Sequence, residues 1–385
     1  MSLTGDTCPH RPPCPGCPRF GEPGLAPAAL DALEKLASAH GLPGVAVSDG
    51  ANAGFRLRAR LAIRGRVGSA KLGLFELGTH RVVHIPNCRV HHPLINRVAG
   101  VVRRALVDSR TTCYSDGAHL GLARYLQVVV ERCTQSAQVV LVANSATPEP
   151  LAECLDLIVE RLGRELHSLW FNSNCERANT ILGPVFTHWL GPAAVIEEFG
   201  GARVHYPPGA FGQSNLDVAQ SIIEHVRADI PQGARVAEFY AGVGAIGLSV
   251  LERLSELRLN EASPDSLRGL DLGLAELEAA ARARISLFPG PAGAALAAAC
   301  DADVVIADPP RKGLDPGLLR HLGEQPPGRL LYVSCGLESF LSDAARLVSG
   351  GRLRLGALTA FNLMPFTEHV ETLARFDRIG APSAP

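Results

Sequence analysis

Apolar positions along the chain change their period near its middle. From Phe55 to Arg64 they alternate with arginine (Phe-Arg-Leu-Arg-Ala-Arg-Leu-Ala-Ile-Arg), the two-residue repeat of a half-buried antiparallel strand with arginine on its outer face. Strands are also expected at 71–75, 81–85, 125–131 and 138–142, and helical spacing predicts helices over 27–40, 93–109 and 148–167. This mixture reads as an α+β domain over about 25–195, its strands presenting their arginines outward. At 206–215 the texture changes to a loop, Tyr-Pro-Pro-Gly-Ala-Phe-Gly-Gln-Ser-Asn, that leads into a helix at 216–230. Beyond it short apolar runs rich in β-branched residues predict strands at 235–240, 257–261, 285–288, 304–307, 330–334, 352–362 and 369–376, with helices over 245–254 and 264–284. Such a chain should form a doubly wound, Rossmann-like α/β sheet whose last two strands make an antiparallel edge. The expected organisation is a cysteine-rich loop at 1–24, the α+β domain at 25–200 and the doubly wound domain at 201–385.

Composition narrows this picture. The chain has 385 residues, 46% of them hydrophobic and 19% charged, which suits two or three domains with sizeable cores. A net charge of -1 gives no global case for nucleic acid, but residues 51–100 hold eight arginines and one lysine against the single acid Glu76. That local excess suits a polyanion, or a solvated strand face. No run of 18 apolar residues and no secretory leader pattern is present, so a cytoplasmic, monomeric protein without membrane contact is expected. Ten cysteines in such a compartment point to metal or catalytic roles rather than disulfides.

Three of those cysteines, Cys8, Cys14 and Cys17, lie in a proline-rich loop that can enclose an ion with little freedom left to lose. Cys88, beside Pro86 and the basic strands, is the best fourth ligand. Three close thiolates and a distant one is the general layout of iron–sulfur ligation, with structural zinc as the competing reading.

Reactive groups gather where the C-terminal strands stop: Asp308 of Asp-Pro-Pro-Arg311, Cys335 of Tyr-Val-Ser-Cys, and Glu371 of His-Val-Glu. In open α/β sheets that edge binds ligands. Gly242-Val-Gly244-Ala-Ile-Gly247 follows a strand and opens a helix, and Glu261 stands nineteen residues after Gly242, as in a dinucleotide fingerprint. The same geometry serves S-adenosyl-L-methionine (SAM), whose ribose also calls for an acid. The motif itself leaves both open; Asp308-Pro-Pro and a Ser-Cys strand end favour SAM over a nicotinamide dehydrogenase.

Taken together, Phe211-x-Gln213-x-Asn215, Glu238-Phe-Tyr240-Ala-Gly242-Val-Gly244, Asp308-Pro-Pro-Arg311-Lys-Gly313, Tyr332-Val-Ser-Cys335 and Pro365-x-Thr-x-His369-Val-Glu371 resemble the RNA uracil-C5 methyltransferases, SAM-dependent enzymes that form 5-methyluridine. The resemblance extends to the N-terminal cysteines and the strands around Arg58 and Lys71. It implies a class I SAM-dependent methyltransferase fold behind an RNA-binding domain, with Cys335 adding to uracil C6 and Glu371 taking the C5 proton. Gln213, Tyr240, Gly242, Gly244, Glu261 and Asp308 match the cofactor positions. Arg311 would meet the base, and Arg58 and Arg60 the RNA. Members acting on rRNA commonly carry a four-cysteine iron–sulfur site, so Cys8, Cys14, Cys17 and Cys88 would hold a [4Fe-4S] cluster, with zinc as the alternative, and 23S rRNA is favoured over tRNA. The stretch before Cys8 is too short for the N-terminal β-barrel of many members. Three positions depart from the pattern: Ala245 replaces an Asn, Ser339 a Thr, and Ser342 the Arg of an Arg-Asp pair. These keep two alternatives open, the tRNA T-loop uridine as target and an RNA-binding iron–sulfur protein with weakened catalysis.

Overall fold

The computed structural model describes residues 7–380; the ends 1–6 and 381–385, counted in the first and last expected domains, lie outside the described residues. Two compact units emerge, and neither is continuous in sequence. One contains the stretch ending at Glu22, Ala51–Glu197 and Tyr206–Leu216; the other contains Pro23–Gly50, Glu198–His205 and the chain from Asp217 on. In chain order the elements begin with α1 (Pro27–Ala39), β1 (Ala46–Ser48), β2 (Arg58–Arg66), β3 (Ser69–Phe75), β4 (Val82–His84), α2 (Pro93–Asp108), β5 (Ala123–Glu131), β6 (Ser136–Ala143), α3 (Ala152–Leu162), β7 (Leu166–Ser173) and β8 (Val185–Leu190). They continue with β9 (Val195–Phe199), β10 (Ala202–Tyr206), α4 (Leu216–Ala228), β11 (Ala234–Phe239), α5 (Ala245–Val250), β12 (Leu254–Glu261), α6 (Pro264–Ala275), α7 (Ala279–Arg282) and β13 (Ile285–Pro289). The last are β14 (Val304–Ala307), α8 (Pro316–Glu324), β15 (Arg329–Ser334), α9 (Leu337–Ser349), β16 (Leu353–Phe361) and β17 (Glu371–Arg378).

In the first unit seven strands pair in the order β4-β3-β2-β5-β6-β7-β8. Only β6 and β7 run parallel, as a strand–helix–strand crossover through α3 requires. The helix expected over 148–167 therefore ends early: Gly163 takes a φ of 49°, and Leu166 already belongs to β7. The outward display of arginines also needs correction. β2 lies inside the sheet, where a charge is tolerated only with partners. Arg58, 9% exposed, donates from Nη1 to the Ala210 carbonyl at 2.8 Å. Arg64, 7% exposed, donates from Nε and Nη2 to both Asp116 oxygens at 2.7 and 2.8 Å, among the rings of Phe75, Tyr114 and Tyr125. Arg60 does face solvent, its Nε bonded to Gln127 Oε1 at 2.7 Å.

The second unit is an eight-stranded sheet, β1-β16-β17-β15-β14-β11-β12-β13, parallel except for β17. β11 lies between β12 and β14, so crossovers leave it in both directions and its carboxyl end is the switch point. β16 and β17 are antiparallel, as expected, but they are not the edge: β17 inserts between β15 and β16, and β1 adds parallel to β16. Residues 27–48 thus belong to this sheet and not to the α+β domain. The physical cause is burial, since Ala29 and Leu33 of α1 join Leu355, Leu358, Phe376 and Tyr332 in one core. Helix 264–284 is two helices, α6 and α7. Among the described residues no helix is long and apolar enough to cross a membrane.

Candidate active site

The residues expected to act chemically fall into two groups. Tyr240, Gly242, Gly244, Glu261, Asp308, Arg311, Cys335 and Glu371 are all in the unit built on the parallel sheet, most of them at or just past strand ends. Gln213, Arg58, Arg60 and the four cysteines belong to the other unit.

The register of β15 and β17 assembles the chemistry. Their last ladder pair is Ser334 with Thr372, so the next residues out, Cys335 and Glu371, stand beside each other at the sheet's rim. β14 flanks β15 on the other side, with Ala307 opposite Tyr332, which puts Asp308 level with Val333, two residues below Cys335 on the neighbouring strand. Three functional groups from three adjacent strands therefore share one corner.

Electrostatics there is unusual. Burial raises the Glu371 carboxyl well above its ordinary range; the Asp308 charge adds to this and Arg311 opposes it. Glu371 is 3% exposed and its Oε1 has no hydrogen-bond partner. Burial also raises Asp308, to about 7. Two carboxyls in one dry corner cannot both ionise easily, so the pair retains a proton near neutrality. Burial, reinforced by Glu371 and Asp308 and opposed by Arg311, pushes the Cys335 thiol up to about 11. As it stands the sulfur is a protonated thiol. Arg311 is exposed, and its Nη2 lies 3.3 Å from His369 Nε2.

The glycine turn divides its tasks. Gly242, with a φ of 60°, has nothing within 4 Å of where a Cβ would point, so backbone there faces open space. A Cβ on Gly244 would run into Leu270 and Leu248, and one on Gly247 into Glu238 Oε2, so these two serve packing of α5. Glu261 is fixed beside the opening: Oε2 accepts from Gly242 N at 2.7 Å, and Oε1 from Ala262 N and Ser263 N at 2.7 and 2.6 Å. An open backbone turn flanked by a pre-oriented carboxylate fits the ribose and amino-acid end of SAM. Tyr240, at a φ of 61°, accepts from Asp315 N at its hydroxyl, 2.8 Å.

Sequence reasoning missed Glu238 as a site residue, although an acid inside Val236-Ala-Glu-Phe was a signal. It is 2% exposed and accepts from Gly247 N at 2.9 Å; burial pushes its carboxyl up to about 8, with Asp308 and Glu261 adding to this.

In the other unit Gln213 sits in the 206–215 loop, where Phe211 is 67% exposed and Asn215 is buried. Cys8, Cys14, Cys17 and Cys88 are all half-buried. Burial pushes the Cys17 thiol up to about 11, and Cys88, Cys14 and Cys8 each add to it. Among the described residues no group of three or more His, Cys, Asp or Glu side chains is gathered as a bound metal ion requires.

A doubly wound sheet with a reversed strand next to β15, a glycine turn at its switch point and an acid at the following strand end defines the class I SAM-dependent methyltransferase fold. The structure of the Pyrococcus abyssi tRNA (uracil-54, C5)-methyltransferase in complex with S-adenosyl-L-homocysteine shares this fold, with a TM-score of 0.72 and 21% identity over 91% of this chain and 83% of that one. No family model matches the chain. An uncharacterized RNA methyltransferase of Protochlamydia amoebophila is 33% identical over 380 residues, 97% of each chain, and the protein belongs to this family of RNA methyltransferases. Another uncharacterized RNA methyltransferase, from Geobacter sulfurreducens, is 28% identical over 86% of this chain and 68% of its own.

Proposed function

We propose that the protein transfers a methyl group from SAM to C5 of a uridine in RNA, with 23S rRNA as the favoured target and tRNA the alternative. The observation that carries this reading is the β15–β17 register, which sets Cys335 beside Glu371 with Asp308 on the next strand. Uracil C5 is a weak nucleophile until a group adds at C6, and a thiolate is suited to that addition. SAM, when bound, supplies the methyl group on a positively charged sulfonium.

Cys335 has to lose its proton before attack; the one ionised carboxylate of the Asp308–Glu371 pair accepts it and passes it on to solvent, which frees Glu371 for the later C5 proton. The sulfur then bonds to C6, and C5 gains the electron density to take the methyl. Glu371 removes the C5 proton, and elimination of the Cys335 sulfur restores the double bond. Glu261 holds the ribose hydroxyls; Tyr240, Gly242 and Asp308 shape the rest of the cofactor site, Gly244 packs α5 behind the turn, and Gln213 matches a cofactor position through the family resemblance. Arg311 and Arg60 meet the RNA, with Arg58 supporting the 206–215 loop from within. The base must leave its stack, which favours loops over helices as substrate.

Two measurements test the reading. RNA containing 5-fluorouridine, which lacks a removable C5 proton, should become covalently attached to Cys335 in the presence of SAM and not to Cys335→Ala. Loss of 5-methyluridine from 23S rRNA in a deletion strain would identify the target; unchanged 5-methyluridine in both rRNA and tRNA rejects the function. The C-x5-C-x2-C pattern of Cys8, Cys14 and Cys17 with Cys88 favours a [4Fe-4S] cluster; a colourless protein with stoichiometric zinc after anaerobic purification overturns that assignment.

A further inference from the structure

The segment Arg311–Asp315, which follows Asp308-Pro-Pro, is a loop whose backbone is held at three successive points by side chains from outside it. Ser339 Oγ donates to the Arg311 carbonyl at 2.8 Å. Asp343 Oδ2 accepts from Leu314 N at 2.9 Å. Tyr240 Oη accepts from Asp315 N at 2.8 Å. Between the first two points Gly313 adopts a φ of 86°, and a Cβ there would fall on Asp343 Oδ2 and the Ser339 side chain.

Ser339 and Asp343 are four residues apart, one above the other on the same face of α9, the helix that begins two residues after Cys335. Asp343 is 7% exposed, and its Oδ2 also accepts from Tyr332 Oη at 2.8 Å, three residues before Cys335 on β15. Ser339 Oγ reaches back to the Gly336 carbonyl at 2.9 Å, and a Cβ on Gly336 would meet the Arg311 carbonyl oxygen at 2.5 Å. The turn that carries Cys335 and the loop that continues from Asp308 are thus bonded to each other through two short polar side chains. Both chain segments approach so closely that glycine is required on each side.

Taking the proposed reaction as given, we infer that Ser339 and Asp343 are positioning residues: they hold the Cys335 sulfur at a fixed placement against the Asp308–Arg311 loop. Neither touches the reacting atoms. Their effect is on geometry alone, and misplacement of about 1 Å at a reacting centre can cost on the order of 100-fold in rate. The substitution at Ser342, which replaces an expected arginine, leaves this link complete because the adjacent Asp343 is retained.

The test is adduct trapping on 5-fluorouridine RNA with SAM, read as two quantities: the amplitude, which counts competent sites, and the rate, which reports alignment. Ser339→Ala and Asp343→Ala should slow trapping and single-turnover methyl transfer by roughly 10- to 100-fold. Amplitude, SAM affinity and KM for RNA should stay at wild-type levels. Asp343→Asn, which keeps an acceptor for Leu314 N and Tyr332 Oη, should restore most of the rate. Loss of amplitude at an unchanged rate would mean that both residues serve stability only and would overturn the inference, as would wild-type rates in Ser339→Ala and Asp343→Ala. Cys335→Ala separates the two levels: if it methylates RNA normally, the proposed reaction fails; if it is dead while the α9 variants are fully active, only the positioning role fails.

Discussion

Glu238 gives a direct measure of how dry the floor of the site is. Its carboxyl, buried within β11 under the glycine turn, is pushed up to about 8 from an ordinary 4.5. A carboxyl raised in this way keeps its proton in the folded state after the unfolded chain has released it. Its contribution to stability is fully present below about 4.5 and is lost as pH rises through about 8. At about 1.4 kcal/mol per pH unit, the whole gap corresponds to roughly 5 kcal/mol, of which about 4 kcal/mol falls between pH 5 and 8. Glu238→Gln removes the titration but keeps an acceptor for Gly247 N. The variant should therefore match the native protein near pH 4.5 and become progressively more stable relative to it up to about pH 8, then hold a constant lead. Calorimetric unfolding of both proteins at pH steps from 5 to 9 reads this directly, since contributions common to the two cancel. Parallel stability curves across that range would show that Glu238 ionises normally and would refute the reasoning.

Glu371→Gln should lower methyl transfer by about 10²- to 10⁴-fold, the usual worth of a general base, and should let the Cys335 adduct accumulate on ordinary RNA, visible as a shifted band on denaturing gels. Because burial, and then the Asp308 charge, raise Glu371, the rising acid-side limb of the native pH–rate profile should lie above the normal carboxylate range. Asp308→Asn, by removing that charge, should move the limb to lower pH even if the maximal rate falls. Gly247→Ala would drive a methyl group against Glu238 Oε2 and to within 3.0 Å of Leu259 Cδ2, and should cost about 1–3 kcal/mol in thermal or urea unfolding. Gly242→Ala meets no atom within 4 Å; a loss of SAM affinity there, measured by titration, would mark the open turn as cofactor space.

Much of the site could be read in one dimension because each strand of a parallel sheet announces itself as a short apolar run and delivers its next residue to one edge. That rule points to Asp308 and Cys335, just past β14 and β15, and spacing to the glycine turn with Glu261; Glu371, at the start of the antiparallel β17, is pointed to by the family resemblance. What the linear pattern could not supply was order in the sheet. A β17 placed between β15 and β16 sets Glu371 beside Cys335, whereas an antiparallel edge would not have had to, and only long-range pairing decides this. The same holds for α1 and β1, whose helical and extended spacing is ordinary but whose partners, β16 and its core, lie three hundred residues away. Arginine alternation in β2 looked like a solvated face because periodicity records polarity and not cover; the aromatic and acidic partners of Arg64 come from distant segments. In the sequence Asp343 and Ser339 read as remnants of an altered motif. Their bonds to Leu314 and Arg311 exist only once α9 packs against the loop after β14, because a hydrogen bond depends on where two backbones meet and not on how far apart they are in the chain.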